Sequence, residues 1–207
     1  MMKKDINIFL SLFKSHKFEP YKGVTYFVVV LLATHFLWKW VVDADLHAHD
    51  IAIFGVDCTP FFYKISQFTA MLVYRYSCLF PGSETLCLDD TRLFFPDGKI
   101  SLSVIWGCTS VKQLYIFLTI MLFYFGPWKK KLWYIPLGCL ILWVYNIVRI
   151  SAILFLTNQH PERFDALHEG WFRYIYYGII FLLWVVWEER IRKKDLERKQ
   201  NSNENKE

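Results

Sequence analysis

Residues 132–156, LWYIPLGCLILWVYNIVRISAILFL, are apolar almost without interruption, and Arg149 is the one ionised side chain among them. A run this long and this apolar crosses a lipid bilayer as a helix. Working outward, Cys108 to Phe125 forms a second apolar run that stops at Gly126-Pro127, a conventional helix end. Trp171 to Trp187 forms a third, with Trp171, Trp184 and Trp187 at its borders as interface belts place them. Val24 to Val42 is the first spanning segment, with His35 and Lys39 as its markedly basic positions. The 207-residue chain is 55% hydrophobic and 19% aromatic, more apolar surface than a soluble domain of this size can hide.

The formal net charge of +5 raises the question of nucleic acid, and the placement of the charge answers it. Lys and Arg concentrate at the N-terminus, at Lys129, Lys130 and Lys131, and from Arg190 to Lys199. They flank apolar segments, as orientation signals do, so the partner is the bilayer and no nucleic acid is expected. No cleavable signal peptide is expected, since the first long apolar run begins near residue 24 and no small-residue cleavage site follows it. Residues 61–80 are interrupted by Lys64, Gln67 and Arg75, so they either span or lie at the interface. If they crossed, one short basic segment would fall on the wrong side. Four spans with 61–80 held outside put every basic cluster in the cytoplasm.

The expected fold is therefore an all-α integral membrane protein, a polytopic helical bundle of about four spans plus interfacial helices. A small extracytoplasmic β-hairpin is added by the turn signal Pro96-Asp97-Gly98 and by Ile100, Leu102 and Val104 alternating with polar residues. Residues 1–23 read as a cytoplasmic segment with an amphipathic helix over 5–19, and 24–190 as the membrane domain with an extracytoplasmic loop at 43–107. Residues 191–207 read as a cytoplasmic polar tail.

That topology gathers three unusual residues in one leaflet. Cys108 opens the Cys108–Phe125 span; Arg149 lies eight residues, or about 12 Å of helix rise, before Thr157; His168 precedes the last span. An Arg within a membrane helix costs roughly 2.5–3.5 kcal/mol, which marks either a function or a structural pair to a carboxylate such as Glu169. Asn146, one turn deeper on the same face, is a candidate to satisfy it. Cys108 at a helix N-terminus is placed to favour its thiolate, and Lys112, one turn on, would add positive charge. Taken singly, a Cys in an apolar helix is a small packing residue and an interfacial His an anchor. At one depth, Cys and His make a nucleophile and base, and Arg holds an oxyanion or a substrate carboxylate.

The approach Ile100-Ser101-Leu102-Ser103-Val104-Ile105-Trp106-Gly107 into Cys108-Thr109-Ser110 resembles the exosortase/archaeosortase family. So do Asn146-Ile147-Val148-Arg149-Ile150 and His168-Glu169-Gly170. The resemblance covers roughly residues 85–190. It implies a membrane cysteine protease or transpeptidase, with Cys108, Arg149 and His168 as catalytic residues near the outer membrane surface. The implied substrates are exported proteins bearing a C-terminal motif, a transmembrane helix and a basic tail. The implied location is the inner cell membrane, with cytoplasmic termini. One position departs: the family commonly has Gly two residues after the Cys, where this chain has Ser110.

No cofactor is expected. His47-Ala48-His49-Asp50 reads as a solvated loop, because His at i and i+2 share no helix face and no third ligand is placed, so no metal is expected either. Cys78 and Cys87 are open to an extracytoplasmic disulfide or to two free thiols. Asp89 and Asp90 read as surface charges. The alternative function is a non-catalytic accessory protein in export or surface-polysaccharide assembly. A small transporter would need more intramembrane polar residues. The absence of C-x-x-C and of G-x-S-G argues against a thiol oxidoreductase and an intramembrane serine protease.

Overall fold

The computed structural model describes residues 22–44, 51–99 and 101–204. The amphipathic segment expected at 5–19 and the His47 to Asp50 run lie outside the described residues. Helix α1 (Lys22–Val41) leads into a three-stranded antiparallel sheet, β1 (Val42–Ala44), β2 (Ile51–Ile53) and β3 (Val56–Asp57). Helix α2 (Thr59–Ser77) follows, then a second sheet of β4 (Cys87–Asp89), β5 (Arg92–Phe94) and β6 (Ser101–Ser103). A 3₁₀ turn at Trp106–Cys108 precedes α3 (Val111–Phe123), and α4 (Trp128–Thr157) returns. The chain then passes a wide helical turn (Ala166–Trp171) into α5 (Phe172–Val186), and a second wide turn (Trp187–Arg192) into α6 (Lys193–Glu204).

Three helical stretches are long and apolar enough to cross a bilayer: Gly23–Val41, Trp128–Thr157 and Pro161–Arg198. Their outward faces carry large apolar side chains such as Val29, Phe36, Trp40, Leu140 and Leu182, which a bilayer covers. Helix α2 is not among them. The sequence puts a full-length span at 108–125, whereas the helix itself runs only from Val111 to Phe123. Its start is displaced by the left-handed backbone at Ser110, and its end by extended Tyr124 and by Gly126 at φ 138°.

The expected hairpin is present. Phe95-Pro96-Asp97-Gly98 closes on a Gly98 N–H to Phe95 carbonyl bond, and β5 pairs with β6 as Arg92↔Ser103, Leu93↔Leu102 and Phe94↔Ser101. It is larger than expected, because β4 adds to it and β1–β3 form another sheet. Asp90, read as a surface charge, instead ties this sheet to α2: its carboxylate accepts from the Tyr63 hydroxyl and from Gln67 Nε2 at 2.7 Å. The apolar face of the sheet (Leu93, Leu102 and Val104) packs with Ala70 and Val73 of α2 and with Ile150, Ile153 and Leu154 of α4.

A second core lies at the opposite end of the bundle, where Phe27, Phe117, Met121, Tyr176 and Trp187 meet. Trp184 and Trp187, expected in an interface belt, are buried here, and the Trp187 indole donates to the Phe125 carbonyl at 3.0 Å. Lys131, one of the three basic residues read as an orientation signal, is only 2% exposed. Its ammonium accepts no water-facing role: it donates to the Leu122 and Tyr124 carbonyls, which α3 leaves unpaired as it ends, and it lies 4.4 Å over the Trp128 ring. All five cysteines are free, which decides the Cys78–Cys87 question in favour of thiols.

Helices α3 and α4 approach closely because Gly138 has no side chain. A β-carbon there would fall 2.3 Å from the Phe117 ring, and Phe117 is fully buried. Overpacking of this kind costs about 1–3 kcal/mol. Gly138→Ala is accordingly expected to lower the unfolding temperature of the detergent-solubilised protein. Phe117→Leu should offset part of that loss, and strictly additive effects of the two changes would contradict the contact.

Candidate active site

Extended backbone at Ile105 turns into the 3₁₀ segment Trp106–Cys108, closed by the Cys108 N–H on the Ile105 carbonyl at 2.9 Å. The Thr109 hydroxyl reinforces the turn by donating to the Trp106 carbonyl at 2.6 Å. Ser110 then adopts φ 67°, ψ 0°, and its carbonyl starts α3 by accepting from the Leu114 N–H at 2.9 Å. Cys108 thus sits one turn ahead of α3 rather than on it. Position 110 is left-handed, the backbone region that Gly enters without penalty and other residues enter at a cost. This gives a physical reason for the Gly that the resembled family carries there, and makes Ser110 a conformational compromise in this chain.

His168 comes from the wide turn Ala166–Trp171, whose helical path breaks at Gly170 (φ −91°, ψ −105°). Its ring stacks on Phe164 with centroids 5.1 Å apart and planes 9° from parallel. Nε2 lies 3.7 Å from Cys108 Sγ, so residues 60 positions apart in sequence form a thiol–imidazole pair. Tyr145 helps hold this end in place, its hydroxyl donating to the Phe172 carbonyl at 3.2 Å.

The remaining polar groups come from α4. Asn146 Nδ2 donates to the Cys108 carbonyl at 2.7 Å. Its partner is therefore the backbone of the cysteine, not Arg149 as the sequence suggests. Arg149 is 7% exposed, its Nε is buried with no hydrogen-bond partner, and among the described residues no carboxylate lies within ion-pair distance of it. The amide oxygens of Asn146 and Gln113 are also buried without partners. Gln113, a polar residue in the first turn of the otherwise apolar α3, carries a signal that sequence reasoning passed over. Tyr145 carries none, because an aromatic residue in a span is ordinary.

Depth follows from helix geometry. At roughly 1.5 Å per residue, Asn146 stands about 27 Å and Arg149 about 31 Å along α4 from Trp128. The hydrocarbon core is about 30 Å thick. Measured along α4, the site therefore lies about one hydrocarbon thickness from Trp128, and the last turns of α4 continue beyond it to meet the β6 sheet. This also accounts for the short α3, which starts beside Asn146 instead of at the tip of α4.

Burial pushes the Cys108 thiol up, and the nearby Arg149 guanidinium opposes that effect. The expectation of a thiolate favoured by the helix terminus is corrected here, since desolvation of the charged form is the larger influence. Lys112 does not supply the opposing charge: its charged neighbours are Lys39 and Arg173, on the α1 and α5 side.

Two outcomes follow. Replacing Ser110 by Gly removes the left-handed penalty and should raise stability by about 1 kcal/mol, read as a higher unfolding temperature, with Ser110→Val moving it the other way. A less stable Ser110→Gly protein would refute the strain. Arg149→Met removes the cation that assists ionisation of Cys108, so the pH midpoint for alkylation of the thiol by a small reagent should move upward. An unchanged profile would mean that the guanidinium does not act on the thiol.

Residues 24–185 match the family model described as Transmembrane exosortase (Exosortase_EpsH). No curated protein matches, and no solved structure matches. The matched segment takes in α1, both sheets, the Cys108–His168 pair, Asn146 and Arg149. With most of its length matched, this chain belongs to the transmembrane exosortase family.

Proposed function

We propose that this protein is a membrane cysteine peptidase or transpeptidase that cleaves C-terminal sorting signals of exported proteins at the extracytoplasmic face. The observation that carries the reading is the 3.7 Å approach of His168 Nε2 to Cys108 Sγ beside a buried Arg149 that has no carboxylate partner among the described residues. His168 takes the thiol proton as Sγ attacks the scissile carbonyl carbon. Arg149 stabilises the resulting oxyanion. The tetrahedral adduct collapses to a thioester as the C–N bond breaks, and the leaving amine takes the proton from His168. An amine acceptor then yields a transferred product and releases the thiol; water yields a free acid. Asn146 is the positioning residue, holding the cysteine carbonyl. Ser110 maintains the turn at the cost of strain.

We place the site outside and both termini in the cytoplasm of the inner membrane. Supporting this, Lys130 pairs with Asp195 at 3.0 Å, which brings two basic segments to one end of the bundle, and Cys108 stands toward the other. A membrane-impermeant thiol reagent should modify a cysteine introduced by Asp97→Cys in intact cells and spare one introduced by Lys129→Cys; the reverse pattern would invert the topology. The accessory-protein alternative is less well supported, because a decayed site has no reason to retain a thiol–imidazole pair and a buried guanidinium together.

Cys108→Ala and Cys108→Ser should each abolish processing, so that membrane-tethered host proteins accumulate with their C-terminal segments attached. Normal processing and localisation with Cys108→Ala would end the enzymatic reading.

A further inference from the structure

Strand β6 is an open edge aimed at the cysteine. It pairs with β5 on one side and with no strand on the other among the described residues. The phase of its ladder can be read from one bond. The Val104 N–H donates to the Thr91 carbonyl at 2.9 Å, one step beyond the Arg92↔Ser103 pair. Hydrogen-bonded and non-bonded pairs alternate in an antiparallel ladder. Leu93↔Leu102 is then a bonded pair, while Arg92↔Ser103 and Phe94↔Ser101 are not. The N–H and C=O groups of Ser101 and Ser103 consequently point away from β5, off the free edge.

The side chains fit the same use. Ser101 and Ser103 are exposed and small, whereas Leu102 and Val104 anchor the strand in the core. Natural edge strands are normally blunted by charge, proline, a bulge or a covering element. Ser101-Leu102-Ser103 has no charge and no proline. The opposite edge, β4, lies against α2 and ends in Asp89. From Ser103 the chain continues through Val104 and Ile105 directly into the turn that ends at Cys108. A recess of about 270 Å³ opens beside this run, with Ser103, Ile105, Trp106, Phe62 and Ser66 in its wall, and the Trp106 indole N–H is buried with no acceptor.

We infer that β6 is the docking edge for the substrate: an extended segment on the amino side of the scissile bond adds to it as a further strand. This rests on the peptidase reading given above. Main-chain pairing through Ser101 and Ser103 supplies affinity that tolerates sequence variation, and the recess takes one substrate side chain bearing a hydrogen-bond acceptor. Strand rise is roughly 3.3 Å per residue, so a chain paired at Ser103 reaches the Cys108 thiol within about five residues. The added strand runs parallel to β6. Both chains approach the cysteine from outside and then descend into the membrane, this protein as α3 and the substrate as its own C-terminal helix.

The test uses the full-length protein in membranes and, as probe, a host protein that accumulates unprocessed when Cys108 is replaced by Ala. In that Cys108→Ala background, with the other four cysteines replaced, Ser101→Cys and Ser103→Cys are each oxidised against single cysteines scanned along the probe ahead of its cleavage point. The expected cross-links recur at alternate probe positions, and position 101 captures residues farther from the cleavage point than position 103 does. Absent or non-periodic cross-links, with the probe still accumulating, would overturn the docking edge and leave the peptidase reading standing. A reversed order would overturn the parallel direction. If no host protein accumulates, the peptidase reading itself fails. Independently, Ser103→Pro removes an outward N–H and leaves the ladder to β5 intact, so processing should fall at least tenfold while alkylation of Cys108 proceeds at the parent rate. Ser103→Ala, which keeps that N–H, should process normally; an equal loss in Ser103→Ala, or parent-level processing in Ser103→Pro, contradicts the proposal.

Discussion

The hydrogen bond from Asn146 Nδ2 to the Cys108 carbonyl, 2.7 Å long, joins the two halves of this molecule. Cys108 belongs to a segment that arrives from the β4–β6 sheet, and Asn146 to the long apolar helix α4. A part-buried turn carbonyl would be costly left unpaired, as would the carboxamide. Each satisfies the other. The bond also sets the height at which α3 begins, and with it the depth of the thiol. Arg149, next on the same helix, and His168, held by Phe164 stacking, then fall around a position already determined.

Dry surroundings act on the site in two directions. They raise the Cys108 thiol, against the opposing pull of the Arg149 guanidinium. They also strengthen whatever the Arg149 guanidinium does, because among the described residues no carboxylate compensates its charge, and it is poorly exposed to water. A buried cation is a cost to folding, and it becomes useful when an anionic group forms beside it. The proposed oxyanion is such a group. The unpartnered amide oxygen of Asn146, whose nitrogen holds the Cys108 carbonyl, adds a second unsatisfied polar group next to the thiol–imidazole pair.

Family resemblance and stereochemistry meet at Ser110. The departure from Gly reads as a defect in sequence comparison, and close backbone approach to a substrate is one physical account of a Gly there. The backbone offers another, since φ 67° is a conformation in which any β-carbon is strained. The turn is nonetheless formed with Ser in place, and the pair beyond it is within reach. The substitution therefore bears on stability first and on chemistry only through it.

Much of this protein was legible in its sequence, because the length of an apolar run and the position of a charge are local properties. They determined the helical membrane class, the hairpin at Pro96-Asp97-Gly98 and the grouping of Cys108, Arg149 and His168 toward one end. Where a residue's role depends on what another segment leaves unpaired, the sequence was silent or misleading. Lys131 reads as an orientation charge and is a buried cap on the last carbonyls of α3; Asp90 reads as a surface charge and is a strap to α2; Trp184 and Trp187 read as a belt and are core. The tertiary structure alone decided that Asn146 serves Cys108 rather than Arg149, that the thiol is raised rather than lowered, and that an open strand edge leads to it. Each of these depends on distances of a few ångströms between segments far apart in the chain, and no spacing along a sequence encodes them.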